Sequence, residues 1–213
     1  MIVALEKPRA VLLFDPARHV DMSALLIGTV QVCRTEGEFG ERGPNYEVVK
    51  ILDSHDLKGM AYQTQLEKLM EIFNTVQGLY GTAEIHVDVT GNEFMTDILR
   101  EKTRFCRFYK FTGQGDQAVS FNGHFRMITK SIAVQKLLYA AEQGHIQVDA
   151  RCPHAKEILK QLSQFQASPR VTGSIDYNAP AGQHDDFVSC LLLAMAVKPL
   201  TPVILSAGFR GMF

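Results

Sequence analysis

Apolar residues along this chain follow two rhythms: short unbroken runs, and longer segments in which they return every three or four positions. The first rhythm predicts buried strands and the second amphipathic helices. Residues 11–14, Val-Leu-Leu-Phe, form such a run and end at Asp15-Pro16, where proline has no N–H to continue a sheet ladder. Residues 24–32 and 46–52 read as two more strands, rich in β-branched side chains. Between them residues 35–45 carry Gly37, Gly40, Gly43 and Pro44 and predict a hairpin loop, so the first three strands form an antiparallel meander.

The rhythm then changes. Over Tyr62–Tyr80 the apolar residues Leu66, Leu69, Met70, Phe73, Val76 and Leu79 recur at helical spacing. Residues 83–87 predict a short strand ending at Asp88, and Thr90-Gly91-Asn92 opens a helix through Phe94, Ile98 and Leu99. Residues 105–111 alternate aromatic with basic side chains and predict a strand; residues 112–125 contain three glycines and predict a loop or hairpin. A helix over 128–143 ends at Gly144, a brief strand covers 146–148, and a third amphipathic helix covers 152–165. After a connection containing Pro169, Gly173, Pro180 and Gly182, an apolar helix over 185–197 is stopped by Pro199. No repeat, low-complexity tract or linker interrupts the pattern. The expected fold is α/β, with a mixed central sheet flanked by helices, and residues 1–213 are expected to form a single domain.

Composition adds mostly exclusions. A formal net charge of -1 supplies no whole-molecule field toward DNA, so any nucleic-acid contact needs a local basic surface. Cys33, Cys106, Cys152 and Cys190 make no CxxC pair, which points to a reducing compartment and no zinc site. The N-terminal stretch is broken by Glu6, Lys7, Pro8 and Arg9 and lacks a signal-peptide core, and the apolar run over 188–197 is too short to span a bilayer. A soluble intracellular protein is expected.

Candidate chemistry is concentrated in carboxylates that end apolar elements: Asp15, Asp88, and the pair Asp185 and Asp186 at the start of the last helix. If the strands bearing Asp15 and Asp88 are neighbours, the acids emerge side by side, and a helix start bearing Asp186 completes a cluster. Such a cluster repels itself without a cation, and its oxygen ligands suit Mg²⁺ or Mn²⁺. Two ions about 3.5–4 Å apart activate water and stabilise the leaving oxygen in phosphodiester hydrolysis. Taken singly, an Asp before proline also serves as a turn residue, and an Asp at a helix start as a cap. His184 suits a supporting role behind the metal ligands, whereas His19, His55, His86, His124 and His145 lack ligand spacing.

Arg100, Lys102, Arg104, Arg107 and Lys110 alternate with aromatics and either track a DNA backbone or form the solvated face of an edge strand. Arg18, Arg126 and Lys130 are further basic candidates. No GxxxxGK[ST] phosphate loop and no nucleophile elbow occur in the sequence.

Three motifs together resemble the nuclease domain of phage terminase large subunits. They are Phe-Asp-Pro-Ala-Arg with Asp21-Met22-Ser23 behind it, His-Val-Asp-Val-Thr-Gly, and Gly-Gln-His-Asp-Asp-Phe-Val-Ser-Cys followed by an Ala/Leu-rich helix. The segments at residues 130–148 and 155–165 are also similar to helices of that family. The resemblance implies an RNase H-like fold, two Mg²⁺ or Mn²⁺ ions held by Asp15, Asp88 and one or both of Asp185 and Asp186, and cleavage of concatemeric double-stranded viral DNA during packaging. It further implies an ATPase domain or motor, a small terminase subunit and a portal protein as partners, in the cytoplasm of an infected bacterial host. Two departures stand out: the sequence carries no ATPase domain, and Ser189 stands where many relatives carry a further acid. Rival readings are a Holliday-junction resolvase and a non-catalytic RNase H-like module that docks onto a packaging motor.

Overall fold

The computed structural model describes residues 2–16, 23–38, 41–113, 119–169, 175–178 and 185–196. Strands β1 (Ile2–Ala4), β2 (Arg9–Asp15), β3 (Ala24–Glu36) and β4 (Arg42–Asp56) come first, followed by helix α1 (Tyr62–Tyr80). Strand β5 (Ala83–Asp88), helix α2 (Phe94–Lys102) and strands β6 (Cys106–Thr112), β7 (Val119–Asn122) and β8 (Phe125–Thr129) make up the middle of the chain. Helix α3 (Lys130–Glu142), strand β9 (Ile146–Val148), helix α4 (Ala155–Gln164), strands β10 (Gln166–Pro169) and β11 (Ile175–Asn178), and helix α5 (Asp186–Ala194) complete it.

Nine strands share one sheet in the order β7-β8-β6-β5-β2-β3-β4-β9, with β1 also paired to β3. The β2-β3-β4 pairs are antiparallel, as the meander predicts, whereas β2-β5, β5-β6 and β6-β8 are parallel. Side chains of a strand alternate between faces, so β2 feeds two cores. Ala10, Leu12 and Phe14 pack with α1 and α2 residues such as Leu66, Phe73 and Met95; Val11 and Leu13 pack with α5, α3 and α4. Helix α5 lies against β2, β3 and β5. Apart from Ser189 its residues from Phe187 to Ala194 are buried, which explains why that segment lacks a polar face.

Several expectations are corrected. Helix α3 begins at Lys130, because Ile128 and Thr129 are β-branched and pair with Phe111 and Thr112. Strands β3 and β4 reach well into the glycine-bearing segment, pairing as far as Glu36 with Arg42, and shift register at a bulge beside Gly28. A Cβ on Gly28 would collide with the carbonyl oxygen of Lys50, so the bulge requires glycine there. Helix α4 starts at Ala155, after a turn in which the Ala155 N–H bonds to the Cys152 carbonyl. The apolar pattern predicts neither β1 nor the antiparallel β10-β11 pair. β6 is an interior strand between β5 and β8, so the edge-strand reading of the basic segment is wrong.

Candidate active site

The two central strands position the first two acids. Parallel pairing runs from Ala10 beside Ala83 to Phe14 beside Val87, and one further step sets Asp15 beside Asp88. Alternation puts Asp15 on the face of Val11 and Leu13, and Asp88 on the face opposite Ile85 and Val87. Both acids therefore face α5. Asp88 is fixed locally, with its Oδ1 accepting from the Thr90 N–H at 2.7 Å, while the Thr90 Oγ1 accepts from the Phe111 N–H at 2.9 Å.

Helix α5 brings the other pair. Asp185 occupies the N-cap position but makes no side-chain capping bond. The buried N–H of Phe187 donates instead to Gln161 Oε1 from α4, at 3.0 Å. Capping therefore does not account for Asp185, and Asp186 opens the helix over the strand ends. Ser189, one turn along, hydrogen-bonds the Asp15 carboxylate and favours its charged form. The position of the missing acid is thus filled by a neutral group tied to Asp15.

The electrostatics mark these residues as one cluster. Burial pushes the Asp15 carboxyl well above the usual carboxylate range, and the charges of Asp88, Asp186 and Asp185 push it further. Asp88 is also raised, chiefly by burial, against the Thr90 bonds and the Lys130 ammonium. Beneath them the Cys190 thiol is raised well above its ordinary value by burial, with Asp15 adding to it, and donates to the Ala24 carbonyl at 3.4 Å. Converging carboxylates on a water-poor face are a donor set of the hard-oxygen type that divalent Mg²⁺ or Mn²⁺ takes. As placed, no group of three or more His, Cys, Asp or Glu among the described residues sits closely enough to hold a metal ion. The donor chemistry fits a divalent cation, and Asp15, Asp88, Asp185 and Asp186 are the residues that would hold it.

No known protein-family profile matches the chain, and no curated protein does. Solved structures do. The large terminase nuclease from thermophilic phage G20c aligns at a TM-score of 0.58 and 17% identity, covering 92% of this chain and 87% of that one. This chain has the fold of a large terminase nuclease. The same phage nuclease with bound magnesium aligns at 0.60 and 17% identity, over 92% of this chain and 86% of that one. The Thermus phage P74-26 large terminase nuclease domain aligns at 0.53 and 15%, over 91% and 83%. The G20c nuclease has also been solved with bound cobalt.

Within this terminase-nuclease fold the predicted basic residues separate. Arg100, Arg104, Arg107 and Arg126 line one pocket. Lys110 turns to the other face of β6, where it pairs with Glu93 and sits 3.9 Å from the Phe125 ring centre. Lys102 is exposed at the end of α2, and Lys130 opens α3 with its charge felt at Asp88. Arg18 and His184 lie outside the described residues.

Sequence reasoning missed a polar chain that runs across the site's face of the sheet. The buried His86 ring holds the Tyr109 hydroxyl at 2.8 Å through Nδ1, and Arg126 Nη1 donates to that hydroxyl at 3.3 Å. Glu84 lies 3.6 Å from His86 Nε2, accepts from Arg107 at 3.0 Å and faces Arg9 at 3.8 Å. Burial lowers the His86 pKa and keeps the ring neutral, and it lifts the Tyr109 phenol to about 12. The signal was available: Glu84, His86 and Asp88 alternate along one strand, as do Arg107 and Tyr109 on the next. His154 bonds through Nδ1 to Ser54 Oγ at 2.9 Å.

Proposed function

We propose that this protein is a divalent-metal-dependent endonuclease that cuts concatemeric double-stranded viral DNA during genome packaging. The observation that carries this reading is the meeting of Asp15 and Asp88, on adjacent parallel strands, with Asp185 and Asp186 at the start of α5. The fold shared with the G20c nuclease, solved with magnesium and with cobalt, supports it. Asp15, Asp88 and one or both of Asp185 and Asp186 would hold one or two Mg²⁺ or Mn²⁺ ions. When bound, the ions supply an activated water and charge neutralisation at the scissile phosphate.

This chain's residues do the rest. The carboxylates set the position at which the phosphate is attacked, and Ser189 holds Asp15 in one orientation. Lys130 adds positive charge near Asp88, where it would help neutralise a bound phosphate. The described residues include no helix long and apolar enough to cross a membrane. Residues 1–213 act in this reading as one nuclease unit in the host cytoplasm, working with a packaging ATPase, a small terminase subunit and a portal.

The test is cleavage of supercoiled, linear and four-way-junction DNA with Mn²⁺ by wild type, Asp15→Asn and Asp88→Asn. The expected result is nicking and linearisation by wild type, with no junction preference, and loss of at least a hundredfold in each variant. Full cleavage by either variant would overturn the assignment. Symmetric cutting confined to junctions would favour a resolvase, and no metal-stimulated cutting by folded wild type would favour a docking module.

A further inference from the structure

At the starting ends of β6 and β8, away from the acids, lies a cavity of about 480 Å³. Its walls include the side chains of Arg100, Arg104, Arg107 and Arg126 together with Phe108 and Phe121, and among the described residues no carboxylate lines it. Four guanidinium groups round one concavity repel each other, so the arrangement is costly unless an anion sits among them. Glu84 offsets Arg107 from behind. Among the described residues neither Arg100 nor Arg104 takes part in an ion pair; they lie instead 5.7 Å and 5.1 Å from the Phe108 and Phe105 ring centres. Phe121 is 65% exposed, and Arg126 stands 5.7 Å from its ring centre.

We infer that this cavity is a second foothold for the DNA strand, separate from the acidic cluster. It takes backbone phosphate on the arginines and a deoxyribose against Phe121. Planar guanidinium groups bind phosphate oxygens in pairs, and contacts to phosphate and sugar carry no sequence information, so the pocket suits a duplex backbone without regard to sequence. The inference rests on DNA being the substrate.

The sheet sets the spacing. Arg107 pairs with His86, two residues before Asp88, and Arg126 lies two strands over, opposite Tyr109. At about 3.3 Å per residue and about 4.8 Å per strand, both arginines start roughly 8–10 Å from Asp88. With about 3.4 Å of axial rise per nucleotide, the pocket would engage a phosphate two to three nucleotides from the cut. Arg107, Arg126 and Phe121 share the sheet face of Asp88, whereas Arg100 and Arg104 reach the pocket from the α2 side.

The test is equilibrium binding of a fluorescent duplex in EDTA, across a salt series, by wild type and by Arg100→Ala/Arg104→Ala. The variant is expected to bind at least tenfold more weakly, and its dependence of log Kd on log salt to fall in slope by about 1–2, one step for each phosphate no longer neutralised. Arg100→Lys/Arg104→Lys should recover most of the slope. Unchanged affinity and slope in a variant that melts like wild type would overturn the inference. If the double alanine variant does not fold, Arg104→Gln alone decides through the same slope. Tighter binding of a free mononucleotide than of the duplex would also overturn it, by making the pocket a small-molecule site. These measurements need no cutting. Full cleavage by Asp15→Asn would remove the active-site assignment without touching this result.

Discussion

The side-chain amide of Asn92 donates a buried hydrogen bond of 2.8 Å to the carbonyl oxygen of Pro16, joining the turn after β5 to the end of β2. Asp15 directly precedes Pro16 and Asp88 lies four residues before Asn92, so one amide ties together the backbone segments that carry both acids. Tyr62 on α1 steadies the same residue, its hydroxyl donating to Asn92 Oδ1 at 3.2 Å. Asn92→Ala should lower stability by about 1–3 kcal/mol, the usual cost of stranding a buried carbonyl. Cleavage measured far below the melting temperature should fall about tenfold or more, because small misplacements of reacting groups are expensive. Urea denaturation together with single-turnover cleavage checks both. A variant that loses stability yet cuts at the wild-type rate would separate the amide from the site.

Asp15 makes the cluster unstable when no cation is present. Its raised folded-state pKa means that its stabilising contribution is complete below the ordinary carboxylate value and is lost as pH rises through the raised value. In EDTA, wild type should therefore lose stability as pH rises above about 4, and Asp15→Asn should lose less over the same rise. Mn²⁺ should reverse the order by stabilising wild type in proportion to ion binding. Calorimetry of both proteins with and without Mn²⁺ reads this directly. Equal Mn²⁺ shifts in wild type and Asp15→Asn would remove Asp15 from the ligand set.

Glu84 behaves in the opposite way. The His86 imidazole, followed by Arg107 and Arg9, holds its carboxyl down at about 2 against the pull of burial. Because burial keeps His86 neutral, the Arg107 guanidinium at 3.0 Å is the firmer partner. A lowered pKa contributes stability above the ordinary value of 4.5, lost as pH falls toward about 2. Glu84→Gln should cost on the order of 1 kcal/mol at neutral pH, since the group is half-buried and partly screened. That difference should vanish as pH falls through this window in urea titrations. A penalty that stays constant down to about pH 2 would mean shape, and not charge, matters there.

Much of this was legible from periodicity. The Tyr62–Tyr80 helix appears with both ends where its apolar spacing predicts, and Asp15 and Asp88 end strands as their apolar runs predict. Their adjacency was conditional on β2 and β5 pairing, which no local pattern specifies; it follows from α1 carrying the chain over to a parallel neighbour. Ile128 and Thr129 show the limit of a window-based reading. They continue a helical pattern, yet parallel pairing with β6, across residues distant in the chain, keeps them extended. The role of Ser189 was equally hidden, because the sequence shows only the loss of an acid and not the bond to Asp15 that replaces it. Three of the pocket arginines, Arg100, Arg104 and Arg107, stand in one basic run, and Arg126, a separate candidate in the sequence, joins them only because β8 lies beside β6.

β2 and β5 lie in the middle of the sheet, with α1 against both on one face and α5 against both on the other. Amides of Leu12, Leu13 and Ile85 should therefore be among the last to exchange with solvent, opening only when the molecule unfolds. Acids rooted in the slowest-exchanging part of the fold are not displaced by local loosening. Under the proposed function, control over cleavage then falls to whatever governs the approach of the strand and of the cation.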